Sequence, residues 1–250
     1  MTIWLWLAAP LIGVMLGLFG AGGGMLTVPL LIYGVGLPVK EAVATSLWIV
    51  ATVSLIAATQ QRAWRVVRLD LLAFFGSGGM AGGVLGAWIG TWIASWIQQS
   101  LFAVLLLAVA VWMRRVRVSE THEETSCHCG TAMLTGAALG VTTGLLGVGG
   151  GFLMVPALLL LGISHLPTAV AHSLVMVALH ATAAGMVYLG EIPQSPRLIV
   201  TIAVLAGAGS ILGSHLLWRM PRQRLQAGFS IGLGILGIAM LGQLVLTHLH

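Results

Sequence analysis

Five stretches of this chain contain no Asp, Glu, Lys or Arg: Ala42–Thr59, Leu71–Ile97, Ala169–Leu189, Leu198–Trp218 and Leu225–Thr247. Each is long enough, or nearly so, for a bilayer crossing, since about 20 apolar residues carry a helix across a hydrocarbon core. Inside that core the backbone must satisfy its own hydrogen bonds, which leaves helices or closed barrels. Runs of this length select helices. Only 7% of the residues are charged, against about 25% in a soluble domain, so the chain cannot clothe a water-facing surface. The expected fold class is an all-α polytopic membrane protein, with the bilayer as its first partner. The net charge of +5 is then a matter of loop placement. No basic stripe interleaved with aromatics points to nucleic acid. No Lys or Arg precedes Lys40, so the basic region of a secretory signal peptide is missing.

The second constraint is a duplication. "GLFGAGGGMLTVPLL" (Gly17–Leu31) returns as "GLLGVGGGFLMVPAL" (Gly144–Leu158). With the shift that lays Gly17 on Gly144, and without gaps, 17 of the 35 positions from Gly17 to Ala51 match Gly144 to Ala178. "AVATSL" (Ala42–Leu47) meets "AVAHSL" (Ala169–Leu174), and Gly82 and Gly86 meet Gly209 and Gly213. The expected organisation is a first membrane repeat at 1–113, a polar linker at 114–130 ("RRVRVSETHEETSCHCG") and a second membrane repeat at 131–250. Each half reads as four apolar segments: Ile3–Val35, Ala42–Thr59, Leu71–Ile97 and Leu101–Met113, then Ala132–Leu161, Ala169–Leu189, Leu198–Trp218 and Leu225–Thr247. Glycines four apart, Gly82-x-x-x-Gly86-x-x-x-Gly90 and Gly209-x-x-x-Gly213, suit close helix packing.

Charge decides between two topologies. If each first segment crosses once, the halves are parallel and eight plain spans divide the cations seven to four. If it turns back at its glycines, the loops at 60–70, 114–130 and 218–224 share a side. That side then holds Arg62, Arg65, Arg68, Arg114, Arg115, Arg117, Arg219, Arg222 and Arg224, and only Lys40 and Arg197 face the other way. Nine against two is the stronger positive-inside signal. It makes the halves inverted repeats with broken helices, a transporter architecture.

The doubled Gly-x-Gly-Gly-Gly-x₄-Pro pattern (Gly20, Gly22–Gly24, Pro29; Gly147, Gly149–Gly151, Pro156) followed by "AVATS" or "AVAHS" resembles the TauE/SafE family over roughly residues 11–240. The resemblance implies a secondary transporter in the bacterial inner membrane. It would export a small sulfur-containing anion, sulfite or an organosulfonate, with no cofactor. The polar "THEETSCHCG" stretch is not part of what resembles the family.

The residues suggest how an anion could be held without a buried cation. A charged side chain at mid-membrane costs about 2.5–3.5 kcal/mol or more, whereas a helix start offers unspent N–H groups and a positive dipole end. Gly22, Gly23 and Gly24, and Gly149, Gly150 and Gly151, precede apolar helices. Facing each other, they would cradle oxyanion oxygens; alternatively, they only permit tight helix crossing. Thr45, Ser46, His172 and Ser173 are the polar members of the second repeated motif and join the expected substrate set. A serine there either donates to the anion or bonds its own helix. His172, His180 and the helix-start Glu41 are the candidates for ion coupling, since intramembrane ionisable groups are functional by default.

Two rival functions leave their own marks. An intramembrane enzyme would show paired carboxylates, His-Glu-x-x-His or a serine with a matched base, and the spans hold none, so no catalytic residue is expected. An uptake permease for another sulfur anion, or for a soft metal, would have the soft-ligand loop of His122, Cys127, His128 and Cys129 as a sensor. Their spacing lacks the structural-zinc pattern, and no metal site is expected.

Overall fold

The computed structural model describes residues 9–14, 24–115, 129–147, 151–160, 166–191, 196–217 and 222–248. These residues form α1 (9–14), α2 (Gly24–Pro29), α3 (Val39–Gln60), α4 (Leu69–Trp92), α5 (Ser95–Arg115), α6 (Cys129–Leu146), α7 (Gly151–Leu160), α8 (Leu166–Val187), α9 (Pro196–Leu217) and α10 (Arg222–His248). A π-helical turn, Leu30–Val35, extends α2 past Pro29. There is no strand among the described residues. Val39–Gln60, Leu69–Trp92, Ser95–Trp112 and Thr168–Val187 are long and apolar enough to cross a membrane.

The duplication is carried into the backbone. α2 and α7, α3 and α8, α4 and α9, and α5 and α10 begin at Gly24/Gly151, Val39/Leu166, Leu69/Pro196 and Ser95/Arg222. Every one of these pairs keeps the shift that lays Gly17 on Gly144. In the second copy the expected first segment is broken at its glycines, while residues 15–23 of the first copy lie outside the described residues. The second copy stops at Leu146, turns at Gly147 and restarts at Gly151. α7 has only 10 residues, about 15 Å of helix, half of what a crossing requires.

One expected segment is corrected. The charge-free run Leu71–Ile97 is two helices. α4 ends where Ile93 turns extended (φ −75°, ψ 140°), and α5 restarts with the amides of Ile97 and Gln98 bonded to the carbonyl of Ala94. The last helix of the first half therefore runs from Ser95 rather than Leu101, and the helix after the linker already includes Cys129. His122, Cys127 and His128 lie outside the described residues. No group of three metal-ligating side chains occurs among the described ones.

α4 is built for a membrane interior turned inside out. Its buried face includes Gly76, Gly78, Gly79, Gly82, Gly83, Gly86 and Gly90, while Leu85, Trp88 and Trp92 point outward, Trp92 at 77% exposure. Lipid is as apolar as leucine, so close backbone packing, not side-chain burial, draws such helices together. A Cβ on Gly82 or Gly86 would overlap the carbonyls of Ala137 and Val141 on α6. A Cβ on Gly209 or Gly213 of α9 would overlap those of Pro10 and Val14 on α1. These four contacts are two pairs related by the repeat, with the halves exchanged. Each half therefore completes its packing on the other.

The order of contacts gives helix directions. Gly78, Gly82 and Gly86 meet Met133, Ala137 and Val141 in turn, so α4 and α6 run the same way. Arg68, Gly79 and Gly90 meet His172, His180 and Tyr188, so α8 runs that way too. α6 and α8 thus point alike, and the stretch between them, including α7, turns the chain back. α3 runs opposite to α8. Gly185, late in α8, packs on Leu47 and Trp48, early in α3, while His172, early in α8, bonds to Arg68 beyond the end of α3.

Candidate site at the glycine breaks

The break between α6 and α7 is held by side chains from the first half. Gly147 has φ +69°, a left-handed conformation open to glycine at little cost. A Cβ there would crowd Val43 and the Ser46 hydroxyl. The Ser46 Oγ lies within bonding distance of the Gly147 carbonyl and of its own helix's Val43 carbonyl at 2.8 Å. Its single proton is therefore given to backbone oxygen. Gln98 Nε2 donates to the Leu145 carbonyl, one residue before Leu146, and lies 3.4 Å from the Tyr188 hydroxyl. The last carbonyls of a helix have no partner within it, and at the end of α6 Ser46 and Gln98 supply two donors.

A small, partly open hollow of about 10 Å³ adjoins this break, with room for about one water molecule. Val28 and Ile32 of α2 and its π turn, Val43 of α3, Gln98 and Gln99 of α5 and Leu146 of α6 line it. The short helix that follows the first glycine cluster and the residue that precedes the second break thus share one hollow. The Gln98 Oε1 is buried without a partner.

The expected site residues separate into two groups. Gly24 is buried at the start of α2 and Gly151 begins α7, while Gly22, Gly23, Gly149 and Gly150 lie outside the described residues. Thr45 is fully buried beside Ser46, and its Oγ1 has no partner. Glu41 sits half-buried in the first turn of α3. Beside it, Lys40 Nζ donates to the Thr91 carbonyl at 2.7 Å, close to the end of α4. His172 and Ser173 are elsewhere. Gly185 is the α8 residue level with Leu47, and His172 precedes it by between three and four helical turns, about 20 Å along the helix.

His172 is fully buried and wholly engaged. Its Nε2 accepts the backbone N–H of Arg68 at 2.9 Å, which leaves Nδ1 to donate to the Thr168 carbonyl at 2.8 Å. Only a neutral imidazole makes both bonds. Ser173 bonds the Val170 carbonyl at 2.8 Å, as Ser46 does its own helix. His180 is the opposite of His172: fully buried, with neither ring nitrogen bonded. An unmet buried donor or acceptor costs about 1–3 kcal/mol. Sequence reasoning did not single out Gln98 or Gly79, and it named Gly147 only as a member of the repeated glycine pattern. The repeat held a signal for one of them: Gly79 aligns with Ala206, just as His180 aligns with Val53.

The family model of the sulfite exporter TauE/SafE matches residues 5–240. A probable membrane transporter protein of Xylella fastidiosa (strain Temecula1) is 31% identical over 60% of this chain and 59% of its own length. The matched stretch thus spans less than two thirds of that relative. A probable membrane transporter protein of Methanocaldococcus jannaschii is 26% identical over 92% of each chain. No solved structure matches.

Proposed function

The chain belongs to the TauE/SafE sulfite exporter family, and from that premise we propose that this multi-pass membrane transporter moves sulfite or a small organosulfonate out of a bacterial cytoplasm. The observation that carries the reading is the hollow shared by α2 and the Gly147 break. It lies where a backbone turn, two amide side chains and a short helix meet. Ser46 lies about 20 Å along the helix axis from the level of Ser173, so the two serines serve the anion at separate stations along its path. At each station backbone N–H groups near Gly22–Gly24 or Gly149–Gly151 receive the oxyanion. Ser46 fixes the turn at Gly147, and Thr45, His172 and Ser173 are the other polar side chains of the path. The chain works as a carrier, not as an enzyme.

The halves are inverted across the membrane, with the nine-arginine face in the cytoplasm of an inner membrane. The opposed directions of α3 and α8 support this: two equivalent spans that run oppositely are related by an axis in the membrane plane. Single cysteines at positions 120 and 221 should react with an impermeant reagent only from the cytoplasmic side. Labelling of positions 120 and 221 from opposite sides would overturn the inversion. An anion leaving a negative interior gains about 2.3 kcal/mol per charge per 100 mV, so the potential alone can drive export. Labelled sulfite in oriented proteoliposomes, with a valinomycin-set potassium potential, tests both substrate and drive. Flux that ignores the potential removes the drive, and no flux of sulfite or of taurine removes the substrate class.

A further inference from the structure

His180 lies in a notch made for it. A Cβ at Gly79 of α4 would fall on the imidazole ring, so the position must be glycine for the ring to fit. The ring stacks on Phe75, centroids 6.1 Å apart and planes 11° apart. It is fully buried and neither nitrogen has a hydrogen-bond partner. The backbone carbonyls of Phe75 and Gly76 lie beside the ring, out of hydrogen-bonding geometry with either nitrogen. That set of neighbours is one-sided. A neutral imidazole offers one donor and one acceptor, whereas an imidazolium offers two donors. Facing only carbonyls, a neutral ring leaves a lone pair unanswered, and a protonated ring has a carbonyl beside it for each N–H.

No fixed charge competes for the ring. α6 and α7 contain no Asp, Glu, Lys or Arg. α4 contains only Asp70 in its first turn, more than two turns before Gly79, and α3 only Lys40 and Glu41 in its own first turn. On α8 the other ionisable group is His172, locked neutral by backbone bonds. The pseudo-equivalent positions hold Val53 and Ala206, both fully buried. The fold thus packs without a histidine in one copy and carries one in the other.

We propose that His180 is a proton-binding site inside the membrane, whose imidazole takes up and releases one proton in each transport cycle. The free ring nitrogen accepts a proton from water on one side and returns it to water on the other, with no co-reactant. The proposal rests on the transport reading above and adds a second cargo, a proton entering as the anion leaves, so that an inside-negative potential favours both movements.

Two measurements test it. First, the full chain is labelled with ¹⁵N-histidine and placed in lipid nanodiscs, with the His180 signals assigned by their loss in His180→Gln. On lowering bulk pH from about 8 to about 5, the window of histidine titration, His180 should pass to the doubly protonated pattern. A ring that stays neutral throughout overturns the proposal. Second, His180→Val with Gly79→Ala transplants the Val53/Ala206 pair, which already packs in this fold. In liposomes with internal pyranine and labelled sulfite, wild-type flux should be accompanied by proton movement, and the double variant should lose that movement. Proton movement unchanged in the double variant overturns the proposal. If wild type moves no sulfite, the substrate reading fails, and the titration decides the proton site by itself, as it does if the variant fails to fold.

Discussion

Two equivalent pairs, each joining one residue from either half, differ by one exchange: Val53 and Ala206 in one pair, His180 and Gly79 in the other. Val53 and Ala206 fill space and ask for nothing, and both are fully buried. The second pair gives up a methyl group on α4 to admit a ring whose nitrogens are unmatched. A duplicated scaffold needs no such asymmetry to stand. A similar contrast holds along α8 itself, where His172 is tied by both nitrogens and His180, about two turns on, by neither. Burial therefore does not give a membrane histidine its role. The match between the ring's donors and acceptors and those around it does.

The symmetric part of this comparison should break hardest. Gly86→Val and Gly213→Val both drive side-chain atoms into a backbone carbonyl of the other half. Each should cost about 3 kcal/mol or more, the upper end for overpacking, read as loss of monodisperse protein and of melting temperature. One variant tolerated and the other not would end the equivalence of the two interfaces. Next, Gly79→Ala alone should destabilise by about 1–3 kcal/mol, and adding His180→Val should recover most of it. A double-mutant cycle with no coupling would mean that the ring is not what excludes the methyl group. The reverse change, Ala206→Gly, should cost only about 1 kcal/mol of helix propensity.

Ser46→Ala should cost about 1–2 kcal/mol, by leaving the Gly147 carbonyl buried with one donor fewer. It should also slow sulfite flux in proteoliposomes. An unchanged melting temperature would show that the Val43 carbonyl takes the proton instead. The smallest effect belongs to Thr45→Val, where the hydroxyl has no partner. Its melting temperature should stay level or rise slightly, since replacing an unmet polar atom by an apolar one is near neutral or stabilising. His172→Gln, at the matched position, should lose about 1 kcal/mol of hydrogen bonding to Arg68. A fall on Thr45→Val as large as on His172→Gln would erase the distinction.

The break after α6 was legible because the glycine cluster occurs twice in one register, and Gly82, Gly86, Gly209 and Gly213 announced their packing by spacing alone. The turn at Ile93 and Ala94 was not legible, since it interrupts an apolar run without glycine, proline or charge. Its counterpart in the second copy carries Arg219, Pro221, Arg222 and Arg224, so transferring the turn from one copy to the other would have found it. Ser46 stood out as a repeated serine, but spacing cannot say where a hydroxyl proton goes, and it goes to backbone rather than outward. The roles of His172 and His180 could not be told apart either. Both are intramembrane histidines on one helix, and the difference is made by Arg68 and Gly79, which lie far away in the chain.

The exchanged packing also dictates an order of assembly. When the first five helices have left the ribosome, α1 has not met α9 and the glycine face of α4 has not met α6. The nascent half must wait in lipid with its closest contacts unmade, and α1 waits longest, for a partner near the far end of the chain. Two separately made half-chains, each lacking what the other carries, should therefore find one another in the bilayer and restore the complete bundle.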